Sequence, residues 1–342
     1  MRVRVGINGL GTIGRRVARA ITLQSDMELV GAVKTRPDYT ALQAIASGIP
    51  LYTPGQEEAE AFDRAGIRVE GTLQDLLAKV DVVVDATPGG VGERYKGIYE
   101  EAGVRQIYQG GEKARVAEAS FSTLCNYRET LGLKSLRVVS CNTTGLLRLI
   151  CTLHRSLGVK RVQAVLIRRA ADPREVKKGP INSINLNPPT TPSHHALDVK
   201  TVLPWLDITT SAVVVPTTLM HVHHVTLELE RKVAAGEVVE ALEGAPRIML
   251  VDTGVTGIRG TAQLMDAARH MRPAGDLPEL VVFEDSIHVD EGRVTLFQAV
   301  HQESIVVPEN IDAIRAVTRL IEDPWETVRI TDESLGLTKR LF

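Results

Sequence analysis

The first 140 residues alternate short apolar runs, rich in β-branched residues, with amphipathic stretches of helical period. The strand-like runs cover 3–8, 28–33, 80–85, 106–109 and 137–140, and the helical stretches cover 13–22, 57–64, 73–79 and 93–101. This alternation is typical of a parallel sheet with helices on its faces. The pattern therefore predicts an α/β domain with a doubly wound parallel sheet over residues 1–140.

The pattern of the chain changes after Gly158. Longer runs in which apolar and polar residues alternate cover 161–168, 212–215, 222–229, 248–251 and 293–299. A period of two is typical of antiparallel strands with one face packed on a core. These runs predict an α+β catalytic domain with a mostly antiparallel sheet over residues 141–303. A polar, proline-rich segment from Asp172 to Asp198 interrupts them, and a loop of this length is usually functional or disordered.

The end of the chain returns to a helical pattern that opens at Pro308. We predict that this C-terminal segment, 304–342, packs back on the first domain. A length of 342 residues suits two domains of about 100–200 residues each.

Composition excludes several classes of protein. The net charge of −2 does not indicate the excess positive charge that binding to nucleic acid or an anionic membrane requires. The long uncharged stretch 208–227 contains Pro216 and three histidines, which do not suit a bilayer helix. The N-terminal residues run into a strand without the apolar core of a signal peptide. Because three cysteines cannot form a disulfide framework, we expect a soluble, cytoplasmic protein in a reducing compartment.

A glycine-rich turn follows the first strand and opens the first helix. Its spacing is G-x-G-x-x-G, and the residues expected to contact a cofactor here are Gly9, Gly11, Thr12, Ile13 and Gly14. Glycines at this spacing let the backbone approach a pyrophosphate, and the helix N-terminus attracts the anion. The turn therefore indicates a Rossmann-type, dinucleotide-binding domain.

The second strand ends without the acidic residue that binds the ribose hydroxyls of NAD. Lys34, Thr35 and Arg36 follow it instead, and this cationic group suits a 2′-phosphate. We therefore predict NADP as the preferred cofactor, with NAD still usable. Thr87 and Pro88 follow one strand and Gly111 follows the next, at the sheet edge where ligands bind; both segments also fit ordinary strand-to-helix turns.

Cys141 lies between a strand and a helix that continues over 146–157. A thiol at a helix N-terminus is a candidate nucleophile, because the helix dipole and a nearby imidazolium lower its pKa. Cys125 and Cys151 lack such polar surroundings, and we expect them to be small packing residues. Their spacing does not forbid a bridge, although a cytosolic setting disfavours one.

Several segments together resemble archaeal-type glyceraldehyde-3-phosphate dehydrogenase, from the N-terminus to the SLGL tail at 334–337. They are GINGLGTIG at 6–14, SCNTTG at 140–145, IRRAADP at 167–173, PSHH at 192–195, PTTLMHVH at 216–223 and AVHQES at 299–304. The bacterial and eukaryotic branch has S-C-T-T-N-C around its cysteine. Outside Cys141, residue roles therefore do not carry over from that branch.

The resemblance implies a phosphorylating aldehyde dehydrogenase that converts D-glyceraldehyde 3-phosphate, NAD(P) and phosphate into 1,3-bisphosphoglycerate. Cys141 matches the nucleophile, which forms a thiohemiacetal and then a thioester. His221 matches the family's catalytic histidine, although strand alternation places His223 on the same face and leaves it possible. A His221–His223 metal pair lacks a third ligand, so we expect no metal.

The resemblance also implies binding residues and an assembly. Substrate and phosphate contacts fall on Ser140, Cys141, Asn142, Thr143, Arg168, His194 and His195; cofactor contacts fall on Arg169 and Gln302. Lys177 and Lys178 either add positive potential or are solvated charges. A homotetramer is implied, with the segment 172–198 a candidate subunit contact.

Two other functions fit the residues less well. Another cysteine-dependent semialdehyde or acyl-phosphate reductase, such as aspartate-semialdehyde dehydrogenase, would be expected to carry an acidic partner near its arginine. A catalytically silent NADP-binding regulator is disfavoured because Cys141 and the His221 segment are intact.

Overall fold

The computed structural model describes residues 2–172, 179–272 and 274–342. The chain divides into two compact units, one of Met1–Val139 with Val307–Leu335 and one of Ser140–Val306 with Gly336–Phe342. The segment after residue 303 is thus shared, since its helices group with the first unit and its last residues with the second.

The first unit contains a seven-stranded sheet in which every pairing is parallel. Its strands are β1 (Val3–Asn8), β2 (Met27–Val33), β3 (Leu51–Tyr52), β4 (Val82–Asp85), β5 (Arg105–Tyr108), β6 (Ala119–Phe121) and β7 (Ser135–Val138), in the order β3-β2-β1-β4-β5-β7-β6. The chain winds outward from β1 in both directions, so the crevice lies where β1 meets β4. The predicted doubly wound parallel sheet is confirmed.

The helices of this unit are α1 (Thr12–Thr22), α2 (Tyr39–Ala46), α3 (Gln56–Arg64), α4 (Leu73–Leu77), α5 (Gly92–Glu101), α6 (Thr123–Asn126), α12 (Val307–Thr318) and α13 (Pro324–Leu335). At the start of α4, the Thr72 backbone N–H donates to Asp75 at 2.7 Å, the side-chain bond of a capping box. The hydrophobic pattern does not predict α2, which Asp38 caps by accepting from the Thr40 and Ala41 backbone N–H groups.

A buried ionic cluster ties α12 to the first unit. Arg315 is fully buried and donates to Asp26 at 2.8 Å and to Thr331 at 2.6 Å. The fully buried Asp312 lies 3.9 Å from the same guanidinium. Because a buried charge is tolerated only when it is paired, these side chains fix how the helix packs.

The second unit contains an eight-stranded sheet in which most pairings are antiparallel. Its strands are β8 (Val159–Arg169), β9 (Asn185–Leu186), β10 (Asp207–Val215), β11 (His221–Leu229), β12 (Ile248–Val251), β13 (Leu280–Phe283), β14 (His288–Asp290) and β15 (Arg293–Val300). Among the described strands of this sheet, only β8 with β10 and β12 with β13 pair in parallel. The predicted α+β class with a mostly antiparallel sheet is confirmed.

The helices of the second unit are α7 (Cys141–Leu157), α8 (His194–Lys200), α9 (Ala235–Gly244), α10 (Thr253–Thr256) and α11 (Thr261–Met271). The described part of the long polar segment thus contains β9 and the first five residues of α8. Along β10 and β11 buried residues alternate strictly with half-exposed ones, so one face of the sheet packs on the core. No helix in the described part of the chain is long and apolar enough to cross a membrane.

Replacing Arg315 with methionine is expected to lower the free energy of unfolding by about 3–5 kcal/mol, because it removes the cation beside the buried Asp312 and the partly buried Asp26. Urea unfolding followed by circular dichroism measures this. Arg329→Met is the matched control, since Arg329 is 59% exposed and pairs with Glu333 on the surface of α13; it should cost less than about 0.5 kcal/mol. Equal effects of the two variants would contradict a structural role for the cluster.

Candidate active site

Cys141 is the first residue of α7. Ser140 caps the helix, and its hydroxyl accepts from the Thr143 backbone N–H at 3.4 Å. The Thr143 hydroxyl in turn donates to Asp198 of α8 at 2.6 Å. Cys141 is a free, partly buried thiol. The segment after β7 therefore holds the thiol at a helix N-terminus that its neighbours fix in place.

Two guanidinium groups at the end of β8 act on the thiol. Burial raises the pKa of Cys141, while the charges of Arg168 and Arg169 act in the opposite direction. The expectation of a lowered pKa for Cys141 is wrong, because burial outweighs the charges of the two arginines. The arginines are therefore the cations that favour the thiolate.

His221 is the first residue of β11, and burial lowers its pKa well below the usual value, as do the charges of His223 and Arg169. Its Nδ1 accepts from the backbone N–H of Arg169 at 3.0 Å. An acceptor at Nδ1 carries no proton, so the neutral ring has its proton on Nε2. Arg168 and Arg169 influence both Cys141 and His221. The structure thus places thiol and imidazole beside the same two cations.

His223 is enclosed by buried amides. The Gln298 amide donates to His223 Nδ1 at 3.0 Å, and His223 Nε2 bonds to Asn142 Oδ1 at 2.9 Å. Gln298 lies directly opposite His223 in the pairing of β15 with β11. Burial lowers the pKa of His223 to about 3. Since both its ring nitrogens are bonded, His223 is a bridge between a strand and the residue after Cys141.

The bridge continues from Asn142 toward α8 and β10. The Asn142 amide donates to His195 Nε2 at 3.4 Å, and His195 Nδ1 bonds to Ser193 Oγ at 3.1 Å. Ser193 Oγ lies 2.7 Å from Thr210 Oγ1. Burial lowers the pKa of His195 to about 2. We call the six residues from Gln298 to Thr210 the buried polar chain; it joins β15, β11, α7, α8 and β10.

Arg168 and His194 complete the group. Arg168 donates to Asn187 at 3.3 Å, and its buried Nε has no hydrogen-bond partner among the described residues. The ring of His194 lies 3.9 Å from that of His195, and burial followed by the charge of Arg168 lowers its pKa. Arg169 donates to Asp172 at 2.5 Å. Two arginines whose charges act on the thiol therefore have donors without a partner among the described residues, as binding of a phosphorylated substrate requires.

Sequence reasoning missed Gln298 and Thr210. Both are fully buried, and both occupy inward positions on strands whose other inward residues are apolar. A polar residue on the apolar face of an alternating strand is the signal that could have identified them.

In the first unit, the glycine turn is built for a close approach. A Cβ atom at Gly9 would lie 2.8 Å from the Thr87 backbone N, and one at Gly14 would lie 2.0 Å from the Gly9 carbonyl oxygen. Gly11, which precedes α1, has nothing within 4 Å of such an atom. The first turn of α1 has neither a side-chain cap nor an acidic residue. These residues fit the pyrophosphate of a dinucleotide, since the backbone allows a close approach and the N-terminus of α1 attracts an anion.

Buried carboxylates position the neighbouring loop. Asp85, at the end of β4, accepts from the Thr87 hydroxyl at 2.5 Å and from Tyr99 at 2.6 Å. Burial raises its pKa, while these hydrogen bonds act in the opposite direction. A Cβ atom at Gly89 would lie 2.7 Å from the Gly111 carbonyl oxygen, so these two loops touch. Thr87, Pro88 and Gly111 therefore line one edge of the sheet, beside the glycine turn.

The end of β2 carries an acid that sequence analysis did not identify. Lys34 donates to Asp38 at 2.8 Å. Partial burial raises the pKa of Asp38, but the hydrogen bonds from Lys34 and Thr40 outweigh it and bring the value down to about 2. The signal in the sequence is an aspartate four residues after a lysine and directly before a helix.

The remaining predictions concern Gln302, two lysines of the long polar segment and a metal site. Gln302 is buried, and its Oε1 has no hydrogen-bond partner within the described ranges. Lys177 and Lys178 lie outside the described residues. In residues 2–172, 179–272 and 274–342, no group of three or more His, Cys, Asp or Glu could hold a metal.

Cys125 and Cys151 do not have the predicted role of packing residues. Both are disulfide-bonded. That expectation is wrong because the positions of two Cα atoms, rather than their spacing in sequence, decide whether a bridge can form.

The buried histidines predict a loss of stability in acid. Between pH 6.5 and about 4 the unfolded chain binds protons at His195 and His223 that the folded protein does not, so the free energy of unfolding falls by about 1.4 kcal/mol per pH unit for each. His223→Gln should reduce this slope by about 1.4 kcal/mol per pH unit. Urea unfolding at several pH values measures the slope, and His270→Gln, at an exposed position of α11, is the control. An unchanged slope in His223→Gln would contradict burial of a neutral ring.

Comparison with known proteins identifies two family profiles. Residues 140–266 match "Glyceraldehyde 3-phosphate dehydrogenase, C-terminal domain", and residues 3–108 match "Dihydrodipicolinate reductase, N-terminus". The fold is similar to that of aspartate semialdehyde dehydrogenase II from Vibrio cholerae, with a TM-score of 0.66 and 12% identity, covering 93% of this chain and 99% of that one. An identity this low shows a shared fold alone.

Curated relatives are far more similar. Glyceraldehyde-3-phosphate dehydrogenase of Aeropyrum pernix is 68% identical over 340 residues, covering 99% of both chains. The protein of that name from Hyperthermus butylicus is 62% identical, covering 99% of this chain and 98% of the relative, and one from Saccharolobus islandicus is 53% identical over 98% of both. The resemblance inferred from the motifs is therefore confirmed: the chain belongs to the glyceraldehyde-3-phosphate dehydrogenase family, and it is an oxidoreductase with a pyridine nucleotide cofactor.

Proposed function

We propose that the protein is a phosphorylating glyceraldehyde-3-phosphate dehydrogenase of glycolysis or gluconeogenesis. It oxidises D-glyceraldehyde 3-phosphate with inorganic phosphate and NADP or NAD to 1,3-bisphosphoglycerate. The observation that carries the proposal is the free thiol of Cys141 at the start of α7, on which the charges of two guanidinium groups act. A thiol in this position suits covalent catalysis on an aldehyde.

In the proposed reaction the Cys141 thiolate adds to the aldehyde carbon and forms a thiohemiacetal. A nicotinamide, when bound, would supply the hydride acceptor for that carbon. Loss of the hydride and of the hydroxyl proton leaves a thioester on Cys141. A phosphate oxygen then attacks the thioester carbon, the acyl phosphate forms, and the thiolate leaves. Arg168 and Arg169 favour the thiolate both before the addition and after this last step.

We assign His221, rather than His223, to the proton-handling role. His223 is bonded on both ring nitrogens within the buried polar chain. The Nε2–H of neutral His221 is a donor for the oxygen that becomes negative when the thiolate adds. Accepting the hydroxyl proton at Nε2 requires the other tautomer, and so the loss of the bond from the Arg169 N–H. That backbone bond therefore controls when His221 acts as donor and when as base.

Several hydrogen-bond donors of the second unit are suited to binding the phosphate groups of the two substrates. Arg168 has a buried Nε without a described partner, and Ser140, Asn142 and Thr143 surround the start of α7. His194 and His195 lie next to Arg168. We assign Arg168, His194 and the residues at the start of α7 to the triose phosphate and to the attacking phosphate, since guanidinium and backbone N–H groups are strong phosphate donors. His195, whose ring nitrogens are both bonded within the buried polar chain, is assigned to hold Asn142 in position.

For the cofactor we assign the glycine turn, Thr87, Pro88 and Gly111 to the pyrophosphate side. Lys34 and Thr35 are assigned to the ribose, with NADP preferred, because a cation at the end of β2 attracts a 2′-phosphate. Arg169 and Gln302 are assigned to the nicotinamide side, where the unpartnered Oε1 of Gln302 is an acceptor for the carboxamide.

We further propose a cytoplasmic homotetramer. Ile184 and Leu186, in the segment 172–198, are 69% and 64% exposed, and Val165 and Phe297 on the outer face of the second sheet are 42% and 41% exposed. Apolar side chains grouped on one face of a sheet favour association with another subunit.

Cys141→Ser is expected to lower kcat for oxidation of glyceraldehyde 3-phosphate by about a thousandfold or more, because a neutral hydroxyl is a much weaker nucleophile than a thiolate. The assay follows NADPH formation with and without inorganic phosphate. Ser156→Ala, near the far end of α7, is the control and should keep the wild-type rate. Full activity of the serine variant would contradict covalent catalysis. Phosphate-independent turnover of the wild type would contradict the phosphorylating reaction.

The rate of alkylation of Cys141 by iodoacetamide is expected to rise with pH through an inflection above that of an ordinary thiol, since burial raises its pKa. Arg168→Gln should move the inflection about one pH unit higher, because it removes a charge that favours the thiolate. Arg231→Gln, whose side chain pairs with Glu237 on the surface, should leave the inflection in place. A downward movement in Arg168→Gln would contradict the assigned electrostatics.

A further inference from the structure

The lysine at the end of β2 already has an anionic partner. Lys34 is 11% exposed on its side chain and donates to Asp38 at 2.8 Å, while Asp38 is 41% exposed. Thr35 and Arg36, between them in sequence, are exposed. A 2′-phosphate approaching Lys34 therefore meets a carboxylate next to the cation.

The carboxylate of Asp38 is held firmly. Its Oδ1 accepts from the Thr40 backbone N–H at 2.9 Å, from the Thr40 hydroxyl at 2.5 Å and from the Ala41 N–H at 3.3 Å. Its Oδ2 accepts from Lys34. Because the start of α2 fixes one oxygen, the other cannot turn away when a ligand binds without breaking the helix cap.

The two charges have opposite effects on the two cofactors. A cation at this edge attracts a 2′-phosphate, whereas a carboxylate repels it and accepts hydrogen bonds from ribose hydroxyls. Lys34 alone would favour NADP strongly. With Asp38 beside it, part of that attraction is cancelled, and an acceptor for the hydroxyls of NAD remains.

We propose that Asp38 is a specificity-determining residue, which restrains the preference for NADP and keeps NAD usable. This inference rests on the proposed function, in which the end of β2 holds the adenosine ribose. To Lys34, which favours NADP, the inference adds a second residue that favours NAD. Replacing Asp38 should therefore shift the preference toward NADP.

The test measures binding by isothermal titration calorimetry, with NADP, NAD, 2′,5′-ADP and 5′-AMP as probes of the unmodified protein and its variants. Asp38→Asn is expected to raise the ratio of NADP affinity to NAD affinity about tenfold, and the ratio for 2′,5′-ADP over 5′-AMP in parallel. Asparagine caps a helix as well as aspartate does, so α2 should persist. Raising the salt concentration should reduce the gain, because the effect is electrostatic.

Asp323→Asn is the matched control. Asp323 accepts from the Glu326 backbone N–H at the start of α13 and pairs with Arg128 at 3.2 Å, so it also combines a cap with a cation. This variant should leave both ratios unchanged.

Lys34→Gln separates the inference from the function on which it rests. It should weaken NADP and 2′,5′-ADP selectively. If it does so while Asp38→Asn changes the ratio by less than about twofold, or weakens NADP and NAD alike, the role of Asp38 is overturned and the cofactor site stands. If the unmodified protein binds neither NADP nor NAD, the proposed function itself fails.

Discussion

The buried polar chain from Gln298 to Thr210 is the constraint on which the catalytic unit depends. Five of its six members come from three strands and two helices, the sixth, Ser193, directly precedes α8, and each is buried. Breaking one link leaves two buried polar groups without partners, at a cost of about 1–3 kcal/mol each. The chain therefore fixes the side chain of Asn142, the residue directly after Cys141, from both sides.

Because the chain occupies His223 and His195, it also separates the histidines by role. Both ring nitrogens of His223 and of His195 are hydrogen-bonded to neighbouring residues, and burial keeps the two rings neutral. His221 is the first residue of β11, and the hydrogen bond described for its ring is the one that Nδ1 accepts from the Arg169 backbone N–H. His221 and His223, which share one face of β11, thus differ in chemistry because their hydrogen-bond partners differ.

In the first unit, two carboxylates hold neighbouring residues in position. Asp85 holds the loop at Thr87, and Asp38 holds both the start of α2 and the side chain of Lys34. Neither acid was identified from the sequence. Both lie within a few residues of a strand end, and their partners include residues that no local pattern connects to them, such as Tyr99 for Asp85.

The sequence by itself determined the class of both sheets, the glycine turn, Cys141 at a helix start and the shared inward face of His221 and His223. These features follow from periodicity and local backbone chemistry, which act over a few residues. Short strands such as β3 and β6, the buried polar chain, the disulfide-bonded state of Cys125 and Cys151, and the raised pKa of the thiol did not follow from it. Only the tertiary structure decided these, because burial and hydrogen-bond partners depend on residues distant in the chain.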